Sequence, residues 1–356
     1  MGSRGSRPRG GKLPTLEEVA ARAGVGRGTA SRVINGSPRV SAPTRAAVEA
    51  AVAELGYVPN RAARALAANR ADVIALVVPE PEARFFAEPY FSDIVRGIGA
   101  ALSDSGMQLL LTFAGGARER RRLAQYLAAH RADGALLVSV RADDPLPELL
   151  TRLGIPTVIS GPRSASEPLP AVDSDNTEGA RTAVAHLLSR GRRNIATITG
   201  RLEVYGAACR LDGYRQALAE AGHAPDERLT AVADFTEEGG RRAMSELLSR
   251  RPDLDAVFAA SDVMAAGARQ TLRAAGRRIP DDVALTGFDD SAIARHMDPP
   301  LTSVRQPIEE MGRAMTRVVL SEIAGRSAVP VAVAGSGKRV PRQIVLPTEL
   351  VVRASS

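Results

Sequence analysis

The hydrophobic rhythm of the chain changes at about residue 72. Before that point apolar residues recur at helical spacing, with Leu16, Val19, Ala20 and Ala23 on one face. Thr15 precedes this face and Glu18 follows three residues later, the pattern of a capping box in which hydroxyl and carboxylate satisfy free backbone N–H groups. Gly24-Val25 ends the helix. A second short helix is predicted over 26–35, and a third begins after Ser41, with Pro43 in its first turn, and runs to about Leu55-Gly56. Two short helices across a tight glycine-containing turn, completed by a third, form a helix-turn-helix pattern. Ala20, Val25, Val33, Val48 and Leu55 are its expected core.

From Asp72 the pattern is a different one. Apolar runs at Val73–Val78, Gln108–Phe113, Ala135–Val140, Thr157–Ile159, Ile195–Thr199, Ala256–Ala260 and Val283–Gly287 read as strands. Helix-length segments stand between them: Ser92–Ser105, Glu119–His130, Thr177–Arg190, Gly206–Ala221, Glu237–Arg250 and Asp262–Ala275. Continuous apolar strands alternating with helices predict parallel sheets covered on both faces. There are enough units for two α/β lobes, which would hold a small molecule between them at the carboxyl ends of the strands. The fold class is thus an all-α helix-turn-helix headpiece followed by a two-lobed α/β core.

Charge divides the chain at nearly the same place. Residues 1–70 hold twelve Lys and Arg against four acids, a net +8 where the whole chain carries +7. The excess positive charge therefore lies wholly in the helical segment and points to a polyanion partner there. Residues 1–12, MGSRGSRPRGGK, have the composition of a disordered basic arm. Cys209 is the only cysteine and the four His are scattered, so neither a disulfide framework nor a metal site is expected, and no cofactor is implied. The sequence shows neither a signal-peptide pattern nor a membrane-spanning apolar run, so a cytoplasmic location off the membrane is expected.

Enzyme signatures fail on inspection. Gly335-Ser336-Gly337-Lys338 has Ala332 where a phosphate loop needs its first glycine and Arg339 where it needs Ser or Thr. Gly24, Gly26 and Gly28 follow a helix instead of a strand, so they are no dinucleotide fingerprint, and no catalytic residue is assigned. A stand-alone sugar-binding protein would suit the two lobes but not the attached headpiece.

The segment from Thr15 to Ala68 resembles the headpiece of the lactose-repressor (LacI/GalR) family over its full length. The match runs through Ala20, Ala23-Gly24-Val25, Ser31-Arg32-Val33, Asn35, Val40-Ser41, Thr44-Arg45, Leu55-Gly56-Tyr57 and Pro59-Asn60. The resemblance implies that double-stranded operator DNA is the partner and that a homodimer binds it. Arg27, Gly28 and Arg32 fall at base-reading positions, where Arg can bond bidentately to guanine. Thr15, Thr29, Ser31, Asn35, Ser41, Thr44, Tyr57 and Asn60 fall at phosphate-contacting positions, and Leu16, Arg39 and Ala63 belong to the same interface. Asn60–Ala68 is similar to the family's hinge helix, with Leu66 as an apolar wedge for the minor groove. The expected divisions are the arm at 1–12, the DNA-binding domain at 13–59, the hinge at 60–70 and the core at 71–356.

The core resembles the family's periplasmic-binding-protein-like domain. The signposts are Tyr90-Phe91, Asp133-Gly134-Ala135, Asp175-Asn176, Arg210 to Tyr214, Ser261-Asp262, Gly287 to Asp290 and Pro300 to Val304. Its lobes are expected at 71–173 plus 305–330 and at 174–304 plus 331–356, with crossings near 172–176, 301–306 and 329–342. A sugar effector is implied. Arg210 and Asp289 match its paired polar contacts, Ser261, Asp262 and Gln306 other cleft positions, and Tyr90, Phe91 and Phe235 its aromatic wall. Gly161 stands where many members carry a sugar-binding Asp, and Ser261 replaces a frequent Asn. The stretch FFAEPYF at 85–91 resembles regulators of oligosaccharide and β-glucoside use, which puts cellobiose-like glycosides first and nucleobases second as effectors.

Overall fold

The computed structural model describes residues 14–34, 36–37, 39–58, 70–164, 166–224, 226–326 and 343–356. The chain divides into two compact units between Ala71 and Asp72. Among its described residues the first holds three helices, α1 (Leu16–Arg22), α2 (Arg27–Ile34) and α3 (Ala42–Leu55). Thr15 caps α1 as expected: its Oγ1 accepts from the Glu18 N–H at 3.3 Å, and Glu18 Oε2 accepts from the Thr15 N–H at 2.7 Å. Gly24 turns the chain between α1 and α2 at φ +65°, a conformation glycine enters without the Cβ penalty. Val19, Ala30 and Val48, one from each helix, are completely buried and form the centre of this unit.

The second unit begins with β1 (Val73–Val78), α4 (Glu82–Ala87), α5 (Pro89–Leu102), β2 (Gln108–Phe113), α6 (Ala117–Ala128), β3 (Gly134–Leu137), α7 (Leu146–Arg152), β4 (Thr157–Ser160) and β5 (Ala171–Ser174). It continues with α8 (Asn176–Ser189), β6 (Ile195–Thr199), α9 (Tyr205–Glu220), β7 (Thr230–Val232), α10 (Glu237–Arg250), β8 (Ala256–Ala259), α11 (Asp262–Ala274), β9 (Ala284–Asp289), α12 (Ala292–His296) and β10 (Thr302–Arg305). The long helix α13 (Ile308–Arg326) and two short strands, β11 (Gln343–Leu346) and β12 (Glu349–Val351), complete it.

Among the described residues twelve strands form two six-stranded sheets, one per lobe. The first runs β2-β1-β3-β4-β5-β11 and is parallel throughout; the second runs β7-β6-β8-β9-β10-β12, with only β12 antiparallel. Ile74 to Val78 and Ala256 to Ala259 are fully buried, as strands covered on both faces must be. The chain passes from β5 to α8, from β10 to α13 and from β11 to β12, so all three crossings lie at one edge of the paired sheets. The opposite edge, at β2 and β7, is free of crossings.

Two boundary expectations change here. β11 pairs in parallel with β5, which places 343–346 in the first lobe and not in the second with the rest of 331–356. The third crossing accordingly falls at Pro347-Thr348 and not within 329–342. β11 is a short edge strand with alternating exposed and half-buried residues, so no continuous apolar run announced it. The GSGK motif at 335–338 lies outside the described residues.

In the first lobe α5 and α13 approach so closely that no side chain fits between them. A Cβ on Gly97 would lie 2.0 Å from the Glu309 carbonyl oxygen, and one on Gly312 would lie 2.5 Å from that of Ile94. Backbone cannot step aside as a flexible side chain can, so Gly97→Ala and Gly312→Ala should each destabilise the core by roughly 1–3 kcal/mol despite the better helix propensity of Ala. Urea unfolding followed by circular dichroism measures this; an unchanged or raised midpoint would refute the close crossing.

Candidate functional site

The helical unit presents its predicted DNA-contacting residues on a polar surface. Arg27 and Gly28 are exposed in the first turn of α2, and Arg32 is exposed four residues after Gly28 on the same helix face. Arg27 Nε lies 2.9 Å from Glu17 Oε1 in a solvent-exposed pair, which water and a competing phosphate can readily displace. Thr29, Ser31 and Thr44 are half-buried, and Arg39 and Ser41 are exposed. The Ser41 hydroxyl is hydrogen-bonded to that of Thr44 at 2.9 Å and does not cap α3. Leu16 and Tyr57 pack partly against the core of the unit, which limits them to edge contacts. Asn35, Asn60, Ala63 and Leu66, and with them the hinge helix, lie outside the described residues.

The second site is a cleft between the two lobes, with about 820 Å³ of space when its open mouth is included. Its walls are strand carboxyl ends and the loops that follow them, as the parallel topology dictates. Arg210, from the second turn of α9, is nearly buried at its centre. Its Nε donates to Asn176 Oδ1 at 2.8 Å and its Nη1 to the Ala260 carbonyl at 2.5 Å, while the guanidinium sits 3.8 Å above the Phe288 ring centroid. Asp289 Oδ1 lies 3.8 Å from Nη1. Gln306 donates to Asp289 at 2.6 Å and accepts from the Ser174 hydroxyl at 2.5 Å, so both expected partners are aimed by groups from the crossings.

Burial governs the protonation of these groups. Desolvation pushes Asp289 up to about 7, reinforced by Asp262 and opposed by Arg210 and the Gln306 amide. Asp173, at the end of β5, is pushed up to about 6 by the same cause, against the Ser174 N–H, Arg210 and Asn176. Glu88 is pushed up to about 7 by desolvation, which outweighs its bond to Arg84. Burial also lowers Arg210 from its usual value, partly offset by Asp289 and Asp173.

Of the eight expected effector residues, Arg210, Asp289, Gln306, Tyr90, Ser261, Phe235 and Phe91 line the cleft. Tyr90 is fixed by a 2.7 Å hydrogen bond between its hydroxyl and that of Ser160. Phe91 is 1% exposed and stacks on Phe85 at 5.1 Å, so its main task is in the lobe core. Ser261 also caps α11 through the Met264 N–H. Asp262 departs from the expectation. It is fully buried outside the cleft, with Oδ1 accepting from Ser303 at 2.6 Å and Oδ2 from the Ser291 N–H and hydroxyl at 2.7 and 2.9 Å. Both its oxygens are engaged inside the second lobe, Oδ1 by Ser303 in β10 and Oδ2 by Ser291 at the start of α12, away from the cleft lining.

Arg84, Glu88, Ser160, Asp173 and Tyr205 also line the cleft and were not singled out by the sequence, and Asn176, marked there only as a family signpost, lines it too. Asp173 was within reach, because the predicted crossing at 172–176 marks a strand end. Gly161 has φ +70°, and a Cβ there would lie 3.6 Å from Asp173 Oδ1. Asp173 thus puts a carboxylate beside the position where many family members carry theirs.

Glu88, Asp173 and Asp289 hold their protons to higher pH folded than unfolded, where carboxyl groups titrate near 4. Between about pH 4 and 7 the folded state binds more protons, so these groups make stability fall as pH rises through that window. Asp289→Asn removes one of them. Its melting temperature should decline less than that of the wild type between about pH 5 and 8. Equal declines in thermal scans would contradict the buried state of this carboxyl.

A model for bacterial regulatory proteins of the lacI family matches residues 15–60, and one for a periplasmic binding protein-like domain matches residues 184–356. The HTH-type transcriptional regulator CelR of Thermobifida fusca is 50% identical over 346 residues, covering 97% of this chain and 98% of that protein. The ribose operon repressor of Escherichia coli is 34% identical over 313 residues, covering 87% and 93%. Among solved structures, a complex of the regulator CelR with cellobiose superimposes with a TM-score of 0.74 at 49% identity, covering 96% of this chain and 100% of that one. The lac repressor dimer bound to operator and the anti-inducer ONPF gives 0.81 at 27% identity, covering 97% and 99%. No helix among the described residues is long and apolar enough to cross a membrane. Identity of 50% along almost the whole of both chains places the protein in the lacI family of bacterial regulatory proteins.

Proposed function

We propose that this regulator is a cytoplasmic, homodimeric repressor of carbohydrate-utilisation genes, released from its operator by a cellobiose-like glycoside bound between the lobes. The observation that carries the effector reading is the convergence of Arg210, Asp289 and Asp173 on one cleft that also has aromatic walls at Tyr90 and Phe235. A planar guanidinium and carboxylates can each make two directed hydrogen bonds to neighbouring hydroxyls, and aromatic faces receive the C–H face of a sugar ring. The cellobiose complex of the relative at 49% identity supports the same class of ligand. For DNA, the +8 charge of residues 1–70 and the two exposed arginines of α2 support major-groove reading by each protomer of a symmetric pair.

Calorimetry of the full-length protein against cellobiose tests the effector; heat from purine bases in place of cellobiose would favour the nucleobase reading instead. Arg210→Lys keeps the charge but loses the fork that reaches both Asn176 and Ala260, so cellobiose affinity should fall at least about tenfold while operator binding persists. Unchanged cellobiose affinity would remove Arg210 from the site.

On DNA, Arg27→Ala and Arg32→Ala should each weaken operator binding by roughly 1–3 kcal/mol and leave non-specific binding nearly unchanged. Filter binding on operator and on random duplex at one salt concentration separates the outcomes. Equal losses on both duplexes would reduce these arginines to phosphate contacts.

A further inference from the structure

The side of the cleft away from the crossings carries a contact between the lobes that joins Phe235, one of the aromatic walls of the effector site, to Arg84. Arg84, on α4 of the first lobe, places its guanidinium 5.4 Å from the centroid of the Phe235 ring in the second. Arg84 follows β1, the strand next to the crossing-free edge, and Phe235 follows β7, the edge strand itself. The pair therefore meets far from the three crossings, where a given opening angle separates the lobes most.

Both partners are held in place. Arg84 Nη1 lies 2.9 Å from Glu80 Oε1 and its Nε 2.6 Å from Glu88 Oε1, and only 11% of the arginine side chain is exposed. Glu80 is further fixed by the Ser139 hydroxyl at 3.2 Å. Phe235 has φ +64°, a conformation that is uncommon and costly for a bulky residue. Its ring lies against the backbone of Gly200, where an added Cβ would come within 2.0 Å of it. A second bridge joins the lobes elsewhere along the cleft, where the Ala142 N–H donates to the Glu203 carbonyl at 3.0 Å.

We propose that the Arg84–Phe235 contact is a latch that closes the outer end of the cleft and limits the length of the glycoside it accepts. The proposal rests on the glycoside reading above and adds a specificity element to it. A cation over an aromatic face in a largely dehydrated setting is attractive, yet it can open and re-form without breaking the ion pairs behind it. A ligand contained between Arg210 and the ring leaves the latch shut. A longer chain must leave through the outer end and part the guanidinium from the ring, so it forfeits the attraction. The strained backbone at Phe235 and the missing side chain at Gly200 are the means by which the second lobe presents the ring to that cation.

The test uses the full-length protein, with cellobiose and cellotriose as probes. Dissociation rates and affinities are measured for wild type, Arg84→Gln, Phe235→Leu and the double variant. Each single change should speed cellobiose dissociation about tenfold and raise the cellotriose-to-cellobiose affinity ratio, and the double change should act no more strongly than either alone. Multiplying effects in the double variant, or an unchanged ratio, would overturn the latch. If Arg84→Gln fails to fold because Glu80 and Glu88 lose their partner, Phe235→Leu alone still decides the ratio. A ligand-free readout separates the latch from the sugar assignment: amide hydrogen exchange at 200–206 and 233–236 should quicken in the variants. If wild type binds neither sugar, quicker exchange upholds the closing contact while the glycoside reading, and the length limit with it, falls; equal exchange in wild type and variants overturns the latch itself.

Discussion

A guanidinium taken out of water is tolerated only where carbonyls, carboxylates or aromatic faces replace the hydration it has lost. Arg210 meets that requirement with partners from separate parts of the chain. Asn176 comes from the first turn after the β5 crossing, Ala260 from the end of β8, and Phe288 and Asp289 from the end of β9. Asp289 is held in turn by Gln306, just past the β10 crossing, and Gln306 by Ser174, just before the β5 crossing. One buried charge thus ties the carboxyl end of the second sheet to two of the three chain crossings. Removing any member leaves another buried polar group unsatisfied, so the network favours one arrangement of these segments over a continuum of slightly shifted ones.

Asp262 does for the loops of the second lobe what Arg210 does for the crossings. Its carboxylate gathers Ser291, at the start of α12, and Ser303, within β10, and Ser303 in turn accepts from the Asp290 N–H. Asp289 and Asp290, both at positive φ, are therefore held between two buried networks. The first lobe is less committed. Asp173 and the Tyr90–Ser160 pair face the cleft with few partners from across it. An occupant that bonds to both sides would add contacts between the lobes, and only such differential contact can shift the relative population of lobe placements. Any coupling of that shift to DNA must act equally in both directions.

Much of this was legible in the sequence, and the gaps have physical causes. The capping box at Thr15 and the glycine turn at Gly24 are local devices, so three helices could be placed from neighbouring residues alone. The strands β1, β6, β8 and β9 were visible because burial on both faces leaves them almost wholly apolar: β1 and β8 hold no polar residue, and β6 and β9 hold only buried threonines before the cleft-facing Asp289. β10, β11 and β12 were not visible as strands: they have three or four residues each, and their polar positions serve the cleft, the crossings or solvent. At the site, charged residues matching a family pattern pointed to Arg210 and Asp289. The same pattern misplaced Asp262, because a sequence position cannot tell a carboxylate facing the cleft from one bonded one layer beneath it. Arg84 and Glu88 were missed because their spacing of four residues on a short helix also fits an ordinary surface pair, and only the fold buries it.

The balance of charge in the cleft says what kind of molecule belongs there. Arg84 is answered by Glu80 and Glu88, and Arg210 by Asp289 with Asp173 nearby. Three of these carboxyl groups already hold their protons more tightly than free ones do, because the dehydrated site resists further negative charge. An anionic ligand would meet those carboxylates, and a cationic ligand would compete with two arginines that are already paired. A neutral molecule with many hydroxyls avoids both penalties, since each hydroxyl can donate to a carboxylate and accept from a guanidinium without adding net charge. Its apolar C–H surface can lie against Tyr90 and Phe235. The protonation shifts and the aromatic walls are two consequences of the same burial, and both suit the neutral, hydroxyl-rich occupant proposed above.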